Sequence, residues 1–470
     1  MTIQSGTLRY RILICTAPLW LAACAAVQPA QPVPELGSLA PAAWAAPLPH
    51  EGKLADLRQW WQNQGDALLV ELIDAAQAAS GSLASAKSRI EQSRAALTLA
   101  GAALGPTLDA QASASRGVTL VNTPVATSLT AGLMAGWEVD LFGANRAAQS
   151  AAQERLASAQ AQWHQARVSV AAEVANQYTL LRACLTQLEL TQVDAASRSE
   201  SARLTALTTR AGFTANGPLE LTRASAADAA NSVTQQRALC DVMHKGLVAL
   251  TAMPEPELRS KIATMPTQQA QPAPVFIASV PAETLAQRPD LAAAARDVAA
   301  ASQDLGSSQA QRYPRLSLSG SIGAMRVDAA GFNSDFATWS IGPVTLSVPL
   351  FDGGRRAANV DAAKARYEEA VAQYRAKARQ AVREVEEALV NLQATSDRRD
   401  NAQIAALGYR ASQKAVEQRL QAGFASQSEL EDARRIALGA DVAQLGLQRD
   451  RQLAWVALYR AVGGGWQATP

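Results

Sequence analysis

Leu350-Phe351-Asp352-Gly353-Gly354-Arg355 has an earlier counterpart in the chain, Leu141-Phe142-Gly143 with Arg146, at an offset of 350 − 141 = 209. Two further landmarks recur in the same order. Gly105-Pro106-Thr107-Leu108 returns as Tyr313-Pro314-Arg315-Leu316, offset 314 − 106 = 208, and Ala211-Gly212-Phe213 returns as Ala422-Gly423-Phe424, offset 422 − 211 = 211. Ordered matches with so little drift read as a tandem duplication of units of roughly 200 residues.

Each unit repeats one internal plan. A proline-free helix comes first, over 68–104 and from Asp290 to about 312. Next come two runs of alternating apolar and small polar residues, over 107–142 and 314–350, which read as strand pairs. Leu316, Leu318, Gly320 and Ile322 alternate with Ser317, Ser319 and Ser321, and Trp137, Val139 and Leu141 with Glu138 and Asp140. The stretches 144–211 and 355–422 then contain no proline. Each predicts a helix of about 100 Å at 1.5 Å per residue. Val174, Tyr178, Leu181, Leu185 and Leu188, and Val382, Val385, Leu389 and Leu392, keep the 3/4 spacing of a coiled-coil seam. Gly212 and Gly423 suit the left-handed residue after a helix end. A second helix after each turn makes two antiparallel hairpins.

The expected organisation is therefore a first repeat over 68–254, a linker rich in Pro and Gln over 255–288, a second repeat over 289–462 and a tail over 463–470. Composition agrees with close helix packing: the 470 residues are 48% hydrophobic but only 5% aromatic, and runs such as Leu291-Ala292-Ala293-Ala294-Ala295 show where the apolar share lies. With 43 basic and 41 acidic residues and no segregated tail, nucleic acid is not an expected partner. His50, His164 and His244 are scattered, so no metal site is expected. No constellation of titratable groups points to catalysis.

Residues 1–23 read as a secretory signal, with Arg9 and Arg11 before the apolar stretch Ile12–Ala23. Leu21-Ala22-Ala23-Cys24 resembles the bacterial lipobox, which implies cleavage before Cys24 and a diacylglycerol on its sulfur. The alternative is an ordinary signal with an incidental cysteine. Ala25 and Ala26, with no Asp after the cysteine, favour outer-membrane sorting by the same analogy. Residues 24–67 would then be a lipid-anchored segment. With Cys15 removed and Cys24 acylated, Cys184 and Cys240 remain. Their midpoint, (184 + 240)/2 = 212, falls on the turn glycine. An oxidising compartment permits a disulfide there. The alternative is two buried free thiols acting as small hydrophobes.

No run of 18 apolar residues follows the signal, so any spanning structure must be β. Four strands cannot close a barrel, and open edges are not tolerated in lipid. Insertion therefore needs several copies. Trp137, Trp339, Phe332 and Phe336 near the strands suit an interface belt. A small soluble β-domain is the alternative.

These features, with Val280-Pro281-Ala282-Glu283-Thr284-Leu285-Ala286-Gln287-Arg288-Pro289-Asp290-Leu291 and Tyr313-Pro314-Arg315-Leu316-Ser317, resemble the TolC-type outer-membrane efflux proteins, and within them the OprM/NodT lipoprotein group. The resemblance covers nearly all of the chain after the signal. It implies an α+β membrane fold. Three chains would pool four strands each into a 12-stranded barrel, continued by a coiled-coil α-helical periplasmic barrel with an equatorial belt around it. It implies a passive exit duct, without cofactor beyond the lipid on Cys24. A periplasmic adaptor (membrane fusion) protein and an inner-membrane resistance–nodulation–division pump would feed it.

The same resemblance places a gate at the second turn, with Asp432 on the aperture, Arg435 as its partner and Glu431 beside them. Three copies of an acid around an axis would favour cations. Ser428 stands where the group carries an apolar constriction, and Leu221 with Glu220 makes the first turn less acidic. The alternative is a solvated helix start, with Glu429, Glu431 and Asp432 near the N-terminal dipole. Gly212, Phe213, Gly423 and Phe424 at the tips are the expected adaptor contacts. Two other functions fit the residues: an envelope-spanning coiled-coil spacer lipoprotein, and a duct for type I protein secretion. A copper or silver duct would be a substrate variant, for which six scattered Met and three His offer no ligand cluster.

Overall fold

The computed structural model describes residues 32–48, 60–63, 65–118, 125–264, 281–329 and 331–466. The signal segment, Cys24, His50 and the central linker residues 265–280 lie outside the described residues. In chain order the described elements are α1 (Trp60–Asn63), α2 (Ala67–Ala79), α3 (Gly81–Ala102), β1 (Thr107–Gly117), β2 (Ala126–Val139), α4 (Ala144–Arg210) and α5 (Asn216–Thr251). They continue with α6 (Glu255–Ala263), α7 (Pro281–Leu285), α8 (Pro289–Ala310), β3 (Arg315–Ala329), β4 (Phe332–Ser347), α9 (Arg355–Gln421) and α10 (Gln427–Ala461). They fall into a strand unit, built from Ser88–Gln160 and Ala293–Arg375, and a helical unit, built from Glu35–Lys87, Ala161–Ala292 and Ala376–Pro470.

In the strand unit, β1 to β4 form one antiparallel sheet in sequence order. Ala110, Leu133, Ile322 and Trp339 lie in one cross-strand row, and Leu108, Ala135, Gly320 and Ile341 in another on the same face. The alternate rows belong to the other face and are more polar, for example Gln111, Gly132, Gly323 and Thr338. A bulge opposite Leu318 and Gly320 keeps Ile341 and Val344 on one face although they are three positions apart. Phe336 and Trp339 are also three apart, with no bulge between, and they point to opposite faces. Of the aromatics expected as a belt, Trp137 stands at the helix-proximal end, its Nε1 donating to the Leu104 carbonyl at 2.9 Å. Trp339 lies mid-strand, and Phe336 lies on the face of Ser113 and Thr130. Composition near a strand could not tell those positions apart.

An aspartate starts each long helix. Asp140 accepts from the backbone N–H of Asn145 and Arg146 at 3.1 and 2.9 Å, and its carboxylate pairs with the Arg146 side chain. Asp352 accepts from Gly354 and Arg356 at 3.1 and 3.2 Å and pairs with Arg356. So each repeated Leu-Phe pair lies beside a helix-capping aspartate, which precedes the pair in the first repeat and follows it in the second. In the second repeat the paired arginine is Arg356 and not Arg355.

The expected helix over 68–104 is two helices. Ser80 is extended (φ −67°, ψ 117°), and its hydroxyl accepts from Leu83 N–H at 3.3 Å, which starts a new helix. A serine before Gly81 competes locally with helix continuation. Among the described residues no single helix is long and apolar enough to cross a membrane.

The core of the helical unit contains the seam. Val174, Leu181 and Val385 are fully buried, with Tyr178, Leu389 and Leu392 buried beside them. Alanines such as Ala378, Ala381 and Ala388 fill the contacts between larger side chains. Cys184 on α4 and Cys240 on α5 form a disulfide across the first hairpin, with Cα atoms 5.6 Å apart. Arg288 ties three segments together. Its guanidinium donates to Asp290 (2.9 and 2.6 Å), to Glu384 on α9 (2.9 Å) and to the Ala461 carbonyl that ends α10 (2.7 Å). Burial opposes its charge, but Asp290 and Glu384 outweigh that and raise its pKa further.

Arg288→Ala would leave two carboxylates and a helix-end carbonyl without their donor, costing about 3 kcal/mol. Thermal unfolding of the detergent-solubilised protein should show a clearly lower midpoint. Reducing the Cys184–Cys240 bond, which closes a loop of sequence separation 56, should cost about 2–4 kcal/mol. An unchanged midpoint on reduction would show that packing alone holds the hairpin.

Candidate functional site

The sheet is the first functional surface. Leu129, Leu133, Ile322, Trp339, Ile341, Val344 and Leu346 are exposed in a single chain, far more contiguous apolar surface than water tolerates. Arg326 and Asp335 pair across β3 and β4 at 3.1 Å near the loop end of that face, where the apolar band stops. The opposite face carries small hydroxyl groups, with Ser321 and Ser340 in contact at 2.9 Å. Among the described residues, β1 and β4 each have one edge without a partner strand.

The hairpin tips are the second. Both long helices end alike: Phe213 N–H bonds the Thr208 carbonyl at 2.9 Å, and Phe424 N–H bonds that of Arg419 at 2.8 Å. Gly212 (φ 79°) and Gly423 (φ 81°) take the left-handed position between, which a Cβ would penalise. The turns expose Phe213 and Phe424, at 86% and 77%, as apolar knobs.

The three acids at the start of α10 have three different environments. Glu429 closes a capping box with Ser426. Asp432 is exposed and pairs with Arg435 at 2.9 Å. Glu431, expected beside the aperture, is instead buried between helices. It pairs with Arg434 at 3.1 Å and with Arg198 on α4 at 3.4 Å, and accepts from Ser225 on α5 at 2.7 Å. Arg434 also donates to Ser201 at 2.6 Å, and Arg198 holds Asp194 at 2.7 Å. The second hairpin is thus ionically fastened to the first close to the turns. Leu221 is about half exposed, and Glu220 pairs with Arg223 at the surface.

Reading the sequence for acids alone missed Arg198, Ser201, Ser225 and Arg434. The midpoint rule that paired the cysteines would have placed Arg198 opposite 2 × 212 − 198 = 226, beside Ser225. The spacing of Glu431 to Arg434 marks a helical i,i+3 pair.

Among the described residues, no group of three His, Cys, Asp or Glu could hold a metal ion. An antiparallel sheet with an apolar face, carried with two long helical hairpins, defines an outer-membrane channel protein. The outer membrane efflux protein family model matches residues 72–252 and 280–464, and the chain belongs to that family. It is similar to the outer membrane protein OprJ of Pseudomonas aeruginosa, 30% identical over 93% of this chain and 91% of that protein. It is also similar to the pyoverdine export outer membrane protein OpmQ of Pseudomonas putida, 29% identical over 97% and 98%. The structure of the outer-membrane channel OprN superposes with TM-score 0.81 at 26% identity, covering 91% of this chain and 98% of that one. VceC of Vibrio cholerae gives 0.76 at 26%, covering 87% and 99%. The chain is therefore an outer-membrane efflux channel of the TolC-like fold.

Glu431→Ala would leave Arg198 and Arg434 facing each other without their shared carboxylate. Hydrogen exchange near the turns of both hairpins should accelerate at least about tenfold, equivalent to a loss above 1.4 kcal/mol of local stability. Glu429→Ala, which removes only half of a capping box, should affect the first turn of α10 alone.

Proposed function

We propose that this channel is the exit duct of a tripartite efflux system, passing small molecules outward without acting on them chemically. The single observation that carries the reading is the four-stranded sheet with an apolar face and two open edges. Lipid supplies no hydrogen-bond partner for those edges, so chains must pool their strands. Three copies supply twelve, within the known range of bacterial barrels. The hydroxyl-lined face would then line the pore, and neutral hydroxyls discriminate weakly among solutes. Relatives are named for solvent, pyoverdine and cation efflux. Cargo choice accordingly belongs to the inner-membrane resistance–nodulation–division pump and its periplasmic adaptor, which also supply the energy and the delivery.

Cys24 carries the lipid anchor in this reading, and the lipobox spacing supports it. The exposed Phe213 and Phe424 offer the adaptor two apolar knobs per chain. Asp432 and Arg435 form the aperture ring, while Glu431, Arg198 and Arg434 hold the hairpins together behind it. Repulsion among the copies of Asp432 is offset by the pairing with Arg435.

Native mass spectrometry of the detergent-extracted mature protein should give three acylated copies. A monomer would sink the duct reading, because four strands close nothing. Replacing Asp432 and Arg435 by alanine should raise ion conductance in planar bilayers, and unchanged conductance would remove both from the gate.

A further inference from the structure

A cavity of about 520 Å³ opens in the helical unit, between α2, α4 and the turn that follows α10. It is separate from the sheet and from the hairpin tips. Three aromatic rings form its walls: Trp61, Tyr459 and Trp466. Trp61 packs edge-on to Tyr459 with ring centroids 4.7 Å apart. Trp466 is brought beside His164, at 5.9 Å, by Gly463, Gly464 and Gly465, all of which have positive φ. A Cβ on Gly464 would lie 2.7 Å from Val168 Cγ2 and 3.0 Å from the Tyr459 hydroxyl oxygen, so only glycine permits that approach.

The polar part of the lining is equally specific. Asp74 and Gln77 come from one face of α2, and His164 and Arg167 from one turn of α4. Arg167 lies with its guanidinium carbon 5.2 Å from the centre of the Trp163 ring and forms no ion pair among the described residues. Burial, and then the neighbouring Arg167, lower the pKa of His164. Its imidazole is therefore neutral near pH 7 and offers one donor and one acceptor.

These groups match one class of ligand. Aromatic faces accept the C–H surface of a pyranose ring, and planar amide, carboxylate and imidazole groups meet its hydroxyls. A guanidinium without an internal carboxylate is suited to one on the ligand. An apolar drug would leave the polar wall unpaired, and an inorganic anion would not use three rings. We propose that this cavity binds a carboxylate-bearing sugar of the bacterial envelope, with the ring on Trp466 and Trp61 and the carboxylate on Arg167. In the periplasm such a sugar comes either from the N-acetylmuramic acid of the cell-wall strand or from the keto-acid sugars of lipopolysaccharide. Either would anchor the helical unit sideways, and the assignment does not depend on what the channel conducts.

Titration calorimetry on the full-length detergent-solubilised protein tests this. The probes are N-acetylglucosaminyl-N-acetylmuramic acid, deacylated lipopolysaccharide core oligosaccharide and uncharged chitobiose. One of the two acidic probes should bind saturably, which identifies the source, with chitobiose at least about tenfold weaker. Arg167→Gln and Trp466→Ala should each weaken that binding by at least about tenfold, with unchanged thermal unfolding midpoints. The proposal is overturned if neither acidic sugar binds, or if chitobiose binds equally well. It is also overturned if both variants keep an affinity within about twofold of the parent.

Discussion

Hydrocarbon cannot hydrogen-bond a peptide group, and most of this architecture follows from that constraint. A four-stranded sheet has two open edges, here those of β1 and β4. One chain can bury neither, so each copy presents its edges to other copies. The same constraint explains why the sheet has no core of its own. Nearly every residue of β1 is exposed in the single chain, and the other strands carry apolar side chains on one face and small polar ones on the other. Such a sheet would aggregate in water. It is stable only where one face meets lipid and the β1 edge of one copy meets the β4 edge of the next.

The helical unit solves a different problem, which is to keep long, alanine-rich helices in register. Alanine packs closely but specifies little, because many relative shifts of two such helices bury similar area. Register therefore rests on a few polar anchors. Arg288 fixes the start of α8 against α9 and the end of α10. Asp66 accepts from Tyr178 at 2.6 Å and pairs with Arg182 at 3.1 Å, fixing α2 against α4. Glu386 accepts from the backbone N–H of Ala45 and Ala46 at 2.6 and 2.9 Å, binding the N-terminal segment to α9. Each anchor would be costly to bury unpaired, and so each penalises a shifted register.

What could be read from the sequence divides along the same line. Periodicity exposed the long helices, because proline-free stretches with a 3/4 apolar pattern have few alternatives. Alternation exposed the strands for the same reason. The duplication gave the turns, and the turn at Gly212 gave the cysteine pair through simple arithmetic. Glu431 was misplaced because neighbouring residues on a helix point about 100° apart. Asp432 and Glu431 look alike in a string, yet one faces solvent and the other the helix interior. Phe336 and Trp339 show the corresponding effect in a strand, where an odd separation changes the face. The break at Ser80 was missed because a serine beside a glycine is tolerated in many helices and becomes a cap only when the chain turns there.

The two repeats have diverged in how their hairpins are fastened. The first hairpin is crosslinked covalently between α4 and α5. At the equivalent depth the second has Thr395 near the Cys184 position and Arg451 near that of Cys240, so no such bond can form. Its attachment near the tip is ionic, through Glu431, Arg434 and Arg198, supported by Ser201 and Ser225. A disulfide holds a pair of helices at all times under oxidising conditions. A buried ion cluster holds two hairpins only while every partner is in place, since removing one leaves the others desolvated and uncompensated. The first hairpin is thus built as a fixed strut. The second is tied to the first by ion pairs and hydrogen bonds close to the turns, so its position depends on polar contacts between hairpins.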